Sequence, residues 1–153
     1  MKDRIFYTDG ACSGNPGKGG WSCVEVLRCT NGITTEIMSG AKENATNNEM
    51  ELYAVCKALV KAYKEGCTAV TIYSDSAYVV NAIQKNWLMN WGKNGWKTKE
   101  GKPVKNDELW KKVYKLIYEK RIIVNMVQVR GHSGDILNEL ADKEAVKARE
   151  SLD

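Results

Sequence analysis

Four acidic residues are set apart by where they fall along the chain: Asp9, Glu51, Asp75 and Asp142. Asp9 follows the β-prone run Ile5-Phe6-Tyr7-Thr8 and precedes Gly10, at the end of a predicted strand. Asp75 follows a second such run, Ala69–Ser74, where a helix is predicted to begin. Sites in open sheets collect where strands end, so these two carboxylates can share one crevice. Glu51 falls in the opening turns of a predicted helix, beside its apolar stripe, and leans toward the sheet. Asp142 falls early in a final helix, after the segment that carries His132. Each also admits an ordinary reading: Asp9-Gly10 as a turn, Asp75 as a helix N-cap, Glu51 as a solvent residue, Asp142 as a charge near a helix N-terminus. Taken together they form the donor set preferred by hard cations such as Mg²⁺ or Mn²⁺, which also bind phosphates. Spacing alone does not bring the four to one point.

Composition removes several other chemistries. His132 is the only histidine, so a metal-free, two-histidine route to RNA cleavage lacks its second acid–base group. The five cysteines are odd in number and form no C-x-x-C pair, against both a zinc site and a disulfide framework and in keeping with a reducing cytoplasm. No apolar run reaches the roughly 18 to 20 residues that span a bilayer, and the first residues lack the pattern of a secretion leader. With 153 residues, 43% apolar and 27% charged, the expectation is one cytoplasmic globular domain over 1–153. The net charge of +4 is unevenly spread. Lys85–Arg121 holds eleven basic and four acidic residues, a balance of +7 that leaves −3 elsewhere. A concentrated basic stretch is the footprint of a polyanionic partner, although a solvated lysine-rich helix has the same composition.

The elements that must position these groups follow from periodicity and punctuation. Strands are predicted over 4–12, 21–28 and 33–41, with a glycine-rich loop over 14–20 and a hairpin turn at Asn31-Gly32. Thr46-x-x-Glu49 is a capping box for a helix ending near Glu65, with Gly66 as its stop. A fourth strand over 69–74 leads into a helix from Asp75 to about Lys85. A short helical piece over 87–91, a loop through Pro103, a helix over 106–120, a strand over 122–129, a loop over 131–138 and a helix over 139–150 complete the chain. The fold class expected is α/β: a five-stranded mixed sheet, an antiparallel three-strand meander plus parallel strands, covered by helices.

Five blocks closely resemble type I ribonuclease H, in that family's order and at similar intervals across nearly the whole chain. They are Tyr7-Thr8-Asp9-Gly10 through Trp21, Thr46–Leu52, Tyr73–Tyr78, Trp96-Lys97 through Trp110, and Val129 through Asp142. The resemblance implies a ribonuclease H-like fold. It implies an endonuclease that hydrolyses the RNA strand of an RNA–DNA hybrid and leaves 5′-phosphate and 3′-hydroxyl ends. Asp9, Glu51, Asp75 and Asp142 match the family's ligands for two Mg²⁺ ions, with Mn²⁺ able to substitute, and His132 its mobile-loop histidine. Asn15, Asn47 and Asn48 match positions on the hybrid-binding face, and Thr46 one that holds a phosphate of the DNA strand. Trp91, Lys93, Trp96 and Lys97, with Trp87, resemble its basic protrusion, here about 87–104; Trp87 and Trp91, at i and i+4, also suit packing onto the body. The partner implied is the hybrid duplex, bound by a monomer with no membrane and no obligate protein partner. Two alternatives stay open: a DNA-cutting nuclease of the same fold, and a hybrid-binding module without catalysis. Asp135-Ile136-Leu137, where many relatives carry small or polar residues, and Leu140, where arginine is common, depart from the pattern.

Overall fold

The computed structural model describes residues 3–131 and 134–153. Its strands are β1 (Asp3–Gly14), β2 (Gly17–Cys29), β3 (Gly32–Ala45), β4 (Ala69–Ser74) and β5 (Ile123–Gln128). Its helices are α1 (Asn47–Lys64), α2 (Ala77–Gln84), α3 (Trp87–Lys93), α4 (Asp107–Tyr114) and α5 (Ile136–Glu150). The sheet order is β3-β2-β1-β4-β5. β1 pairs antiparallel with β2, and β2 with β3, while β1–β4 and β4–β5 are parallel. The mixed sheet expected from the sequence is therefore the one present.

Alternation along β1 and β2 divides the core between the two faces of the sheet. Phe6, Trp21 and Cys23 join Leu52, Val55 and Leu59 of α1 in the main core, which also takes in α2, α3 and Trp110 of α4. Tyr7 and Val24 point the other way and meet Ala141 of α5. On the α1 side, buried Glu25 of β2 receives Arg4 of β1 and, at 2.6 Å, Lys61 of α1. Burial alone would push the Glu25 carboxyl up, but its two cationic donors outweigh it and hold it below the ordinary carboxylate range.

Four boundaries differ from expectation, each for a local reason. The glycine-rich 14–20 stretch is not a loop. Only Asn15 and Pro16 turn, and Gly17–Gly20 are strand residues. Gly19 and Gly20 are glycine because neighbours press on them: a Cβ at Gly19 would lie 2.7 Å from Ala45 Cβ, and one at Gly20 would strike the α5 backbone at Ala145 and Arg149. α2 is capped by Ser76, whose hydroxyl accepts from Val79 N at 3.2 Å, so Asp75 is not the N-cap. α5 starts three residues earlier than predicted, because Asp135 accepts from Leu137 N and Asn138 N at 3.0 and 3.1 Å. The long helix after Asn106 becomes a π-helical turn over Lys115–Glu119. At α1, Thr46 Oγ1 accepts from Glu49 N at 3.1 Å, while the Glu49 carboxylate pairs with Lys42.

Candidate active site

β4 pairs with β1 only as far as Ser74 opposite Thr8, while β1 runs on beside β2 to Gly14. Asp9 and Asp75 are each one residue past that last pair, so they emerge side by side where the parallel ladder stops. Gly10 brings in the third carboxylate. A Cβ there would stand 2.6 Å from Glu51 N and 2.7 Å from Met50 C, so α1 lies with its backbone directly on β1. The Gly10 N–H donates to Asp9 Oδ1 at 2.9 Å and also to Glu51 Oε1. Asp9, Glu51 and Asp75 each present an oxygen, and these oxygens lie within 4.8 Å of one another. Asp142 of α5 lines the same open crevice of about 400 Å³.

The electrostatics of that crevice are those of crowded, partly desolvated acids. Burial pushes the Asp9 carboxyl up to about 7, and the charges of Asp75 and Asp142 add to the rise. Glu51 is pushed well above its ordinary value, first by burial and then by Asp9 beside it. Asp9 is 3% exposed and Glu51 8%. Glu51 Oε2 is buried and has no hydrogen-bond donor. A carboxylate oxygen without a donor, among three further acidic side chains, is a donor set that a divalent cation satisfies. The residues fit the cations implied by the sequence.

Beside the crevice, and sharing Asn47, Asn48 and Tyr78 with it, is a second pocket of about 560 Å³. Asn15, Thr46, Lys105 and Asn106 complete its lining. Asn15 Oδ1 accepts from Asn47 N at 3.1 Å, which ties the β1–β2 turn to the start of α1. Sequence reasoning placed Asn15, Thr46, Asn47 and Asn48 on one binding face but gave no role to Tyr78, Lys105 or Asn106. The available signal was Lys105-Asn106 directly before α4, in a basic stretch. Tyr78 reads in sequence as a core aromatic, and its hydroxyl does accept from the buried Trp110 indole at 2.8 Å.

The protrusion residues divide between packing and exposure. Trp91 meets Trp110 edge-on at 5.6 Å, and Trp96 meets Tyr114 in the same way at 5.6 Å. Trp87 is 40% exposed. Trp87, Trp91, Asn94 and Lys97 border an open groove of about 590 Å³, and Lys93 and Lys97 are exposed. His132 lies outside the described residues. The chain just before it passes the acidic cluster, since a Cβ on Gly131 would lie 3.1 Å from Asp75 Oδ2.

Comparison with known proteins agrees with this arrangement. The RNase H family model matches residues 1–150. The ribonuclease H of Syntrophomonas wolfei is 48% identical over 152 residues, 99% of each chain. That of Caldicellulosiruptor saccharolyticus is 48% identical over 143 residues, 94% of this chain and 93% of its own. Among solved structures, LC9-RNase H1, a type 1 RNase H with the type 2 active-site motif, superposes with a TM-score of 0.84 at 29% identity, covering 97% of this chain and 72% of that one. The foamy viral protease-reverse transcriptase in complex with an RNA/DNA hybrid superposes with a TM-score of 0.81 at 27% identity, over 97% of this chain and 20% of that one. A mixed sheet that delivers acidic residues to the end of its parallel ladder, matched along nearly its whole length, defines a nuclease of the ribonuclease H fold. The chain belongs to the RNase H family, and it is an enzyme, a hydrolase of the ribonuclease H class.

Proposed function

We propose that this chain is an endonuclease that hydrolyses the RNA strand of an RNA–DNA hybrid and leaves 5′-phosphate and 3′-hydroxyl ends. The observation that carries the reading is the meeting of Asp9, Glu51 and Asp75, with Asp142 in the same crevice, beside the pocket of Asn15, Thr46 and Asn47. Asp9, Glu51, Asp75 and Asp142 would hold two Mg²⁺ ions, with Mn²⁺ able to substitute. Bound there, the ions supply Lewis-acid polarisation of the scissile phosphate and a lowered pKa for the attacking water. The protein's own part is orientation: the Gly10 N–H holds the Asp9 and Glu51 carboxylates side by side, and Glu51 Oε2, without a hydrogen-bond donor, would be free to serve a cation.

Substrate choice follows from the neighbouring surfaces. Asn47 and Asn48 line both cavities, so their amides can meet the 2′-hydroxyls of the strand being cut. Thr46, at the start of α1, suits a phosphate of the DNA strand, and Asn15, tied to Asn47 N, lies on the same face. Lys93 and Lys97, with Trp91 and Trp96, form the basic protrusion of about 87–104 within a single catalytic domain over 1–153. We assign His132 to proton transfer or product release, from its place in the Val129–Asp142 block and the approach of Gly131 to Asp75. The chain acts as a cytoplasmic monomer without an obligate protein partner. Among the described residues no helix is long and apolar enough to cross a membrane.

The test is cleavage of an end-labelled RNA–DNA hybrid beside a matched DNA duplex, each with Mg²⁺ and with EDTA. Cutting of the hybrid's RNA strand alone, abolished by EDTA, with products that a 3′-hydroxyl-dependent polymerase can extend, is expected. Equal cutting of the DNA duplex would assign the site to a DNA nuclease of this fold, and binding without cutting to a non-catalytic module.

A further inference from the structure

We propose that Ser22 is a positioning residue for Asp142, acting through a hydrogen bond from the middle of the sheet to the backbone of α5. The inference rests on the cation-site reading above and concerns how the fourth carboxylate is brought into place. Asp9 and Asp75 emerge from strands, and Glu51 is carried by a helix pressed directly onto Gly10. Asp142 is carried by α5 alone, so its position depends on how α5 docks.

Part of that docking runs through one row of β2, beside Tyr7 of β1. Gly20, Ser22 and Val24 alternate onto the α5 face of the sheet. Val24 packs with Ala141. A Cβ at Gly20 would strike Ala145 O and Arg149 N, so the helix backbone lies on the strand there. Between these two contacts, the Ser22 hydroxyl donates to the Ala141 carbonyl at 2.5 Å. Ser22 is 0% exposed, as is Ala141. A carbonyl has two lone pairs, so Ala141 can accept from Ser22 and still take part in the helix ladder. Ala141 precedes Asp142, and Ser22 stands directly opposite Asp9 in the β1–β2 pairing. One hydroxyl therefore links the strand position facing the first carboxylate to the residue that carries the fourth. Gly20 and the alanines of α5 set the depth of the helix, but flat contacts of this kind let it slide or roll. A directional bond removes that freedom at the turn where Asp142 departs.

Removing the hydroxyl leaves no orphaned donor, and Ala141 keeps its helical partner, so Ser22→Ala should fold with a small change in melting temperature. The experiment is calorimetric titration of the whole protein with Mn²⁺, without substrate, for wild type, Ser22→Ala, Asp142→Asn and the double variant, with melting curves in EDTA. Outer-shell partners of metal ligands typically change affinity by roughly 10- to 100-fold. Ser22→Ala is expected to weaken Mn²⁺ binding by about 10-fold, and to have almost no further effect when Asp142 is already Asn. Wild-type affinity in Ser22→Ala would overturn the inference while leaving the cation site intact. An equal loss in both backgrounds would also overturn it, since Ser22 would then act on the sheet and not through Asp142. Absence of Mn²⁺ binding by the wild type would instead remove the cation-site reading itself. If Ser22→Ala melts far below wild type, amide exchange along α5 decides. Faster exchange confined to the turn around Ala141 supports the proposal, and uniform loosening of the molecule overturns it.

Discussion

Asp9 and Glu51 share the Gly10 N–H and almost no water, while Asp75 and Asp142 add negative charge. In a cation-free protein Asp9 and Glu51 favour protonation, and stability and cation affinity then vary with pH. A carboxyl raised to about 7 in the folded state, against its ordinary value of 3.8, contributes stability in acid that is lost as pH climbs through that interval. Cation binding needs the deprotonated forms, so Mn²⁺ affinity should rise with pH through about 7, with proton release during titration. A flat calorimetric affinity between pH 5.5 and 8 would contradict this. Asp9→Asn removes both the ligand and the repulsion: cleavage should fall by at least about 1000-fold, on the scale of lost electrostatic stabilisation, while the melting temperature in EDTA rises. Asp75→Asn should lose cleavage likewise. Glu25 has the opposite sign. Its lowered carboxyl stabilises the fold above the ordinary carboxylate range and ceases to do so as pH falls through its lowered value.

At the scale of elements, the site depends on two helices approaching strands more closely than side chains allow. Gly10 admits α1 and Gly20 admits α5, and at both positions the two nearest obstructing atoms are backbone. Backbone cannot swing aside, so Gly10→Ala and Gly20→Ala should each cost about 1–3 kcal/mol or more. Denaturant melts measure that cost. Gly10→Ala should also suppress cleavage, because Glu51 moves with α1; full activity in a stable Gly10→Ala protein would separate the helix position from the chemistry. At the other end of β1, Arg4 and Lys61 converge on Glu25 and tie the second half of α1 to the sheet. Glu25→Ala leaves Arg4 with Glu65 and Lys61 with Glu36, and both cations retain some solvent, so the expected loss falls below the roughly 3–5 kcal/mol of a broken buried pair.

For the whole molecule, charge is unevenly placed. The acidic crevice lies at the end of the parallel ladder and the pocket of Asn15, Thr46 and Lys105 lies next to it, while Lys85–Arg121 carries a balance of +7. Lys93 and Lys97 are exposed and have no place in the core. Binding to a hybrid should therefore weaken steeply with salt, and replacing both lysines by alanine should reduce the log–log salt slope by roughly 2. The measurement is hybrid affinity over a series of salt concentrations with a catalytically silent Asp9→Asn background. An unchanged slope would remove the protrusion from the binding path.

Local periodicity determined most of the elements, because burial on one face leaves a period of two in strands and 3.6 in helices. The residue types at Asp9, Glu51, Asp75 and Asp142, read with the family resemblance, named the donor set before any coordinates. What the chain could not show locally was contact between distant parts. Gly19 and Gly20 read as part of a loop because glycine usually marks one, yet they are strand residues whose missing side chains make room for Met50, Ala45 and α5. For Asp75 the sequence left a helix cap open beside the carboxylate role, because capping residues are short and polar, and only the backbone geometry gives the capping task to Ser76. Tyr78, Lys105 and Asn106 join Asn15 and Asn47 only after β1, α1, α2 and α4 assemble. Sequence periodicity records which face a residue turns inward; which other face it meets is decided by the order of the strands and the depth at which the helices dock.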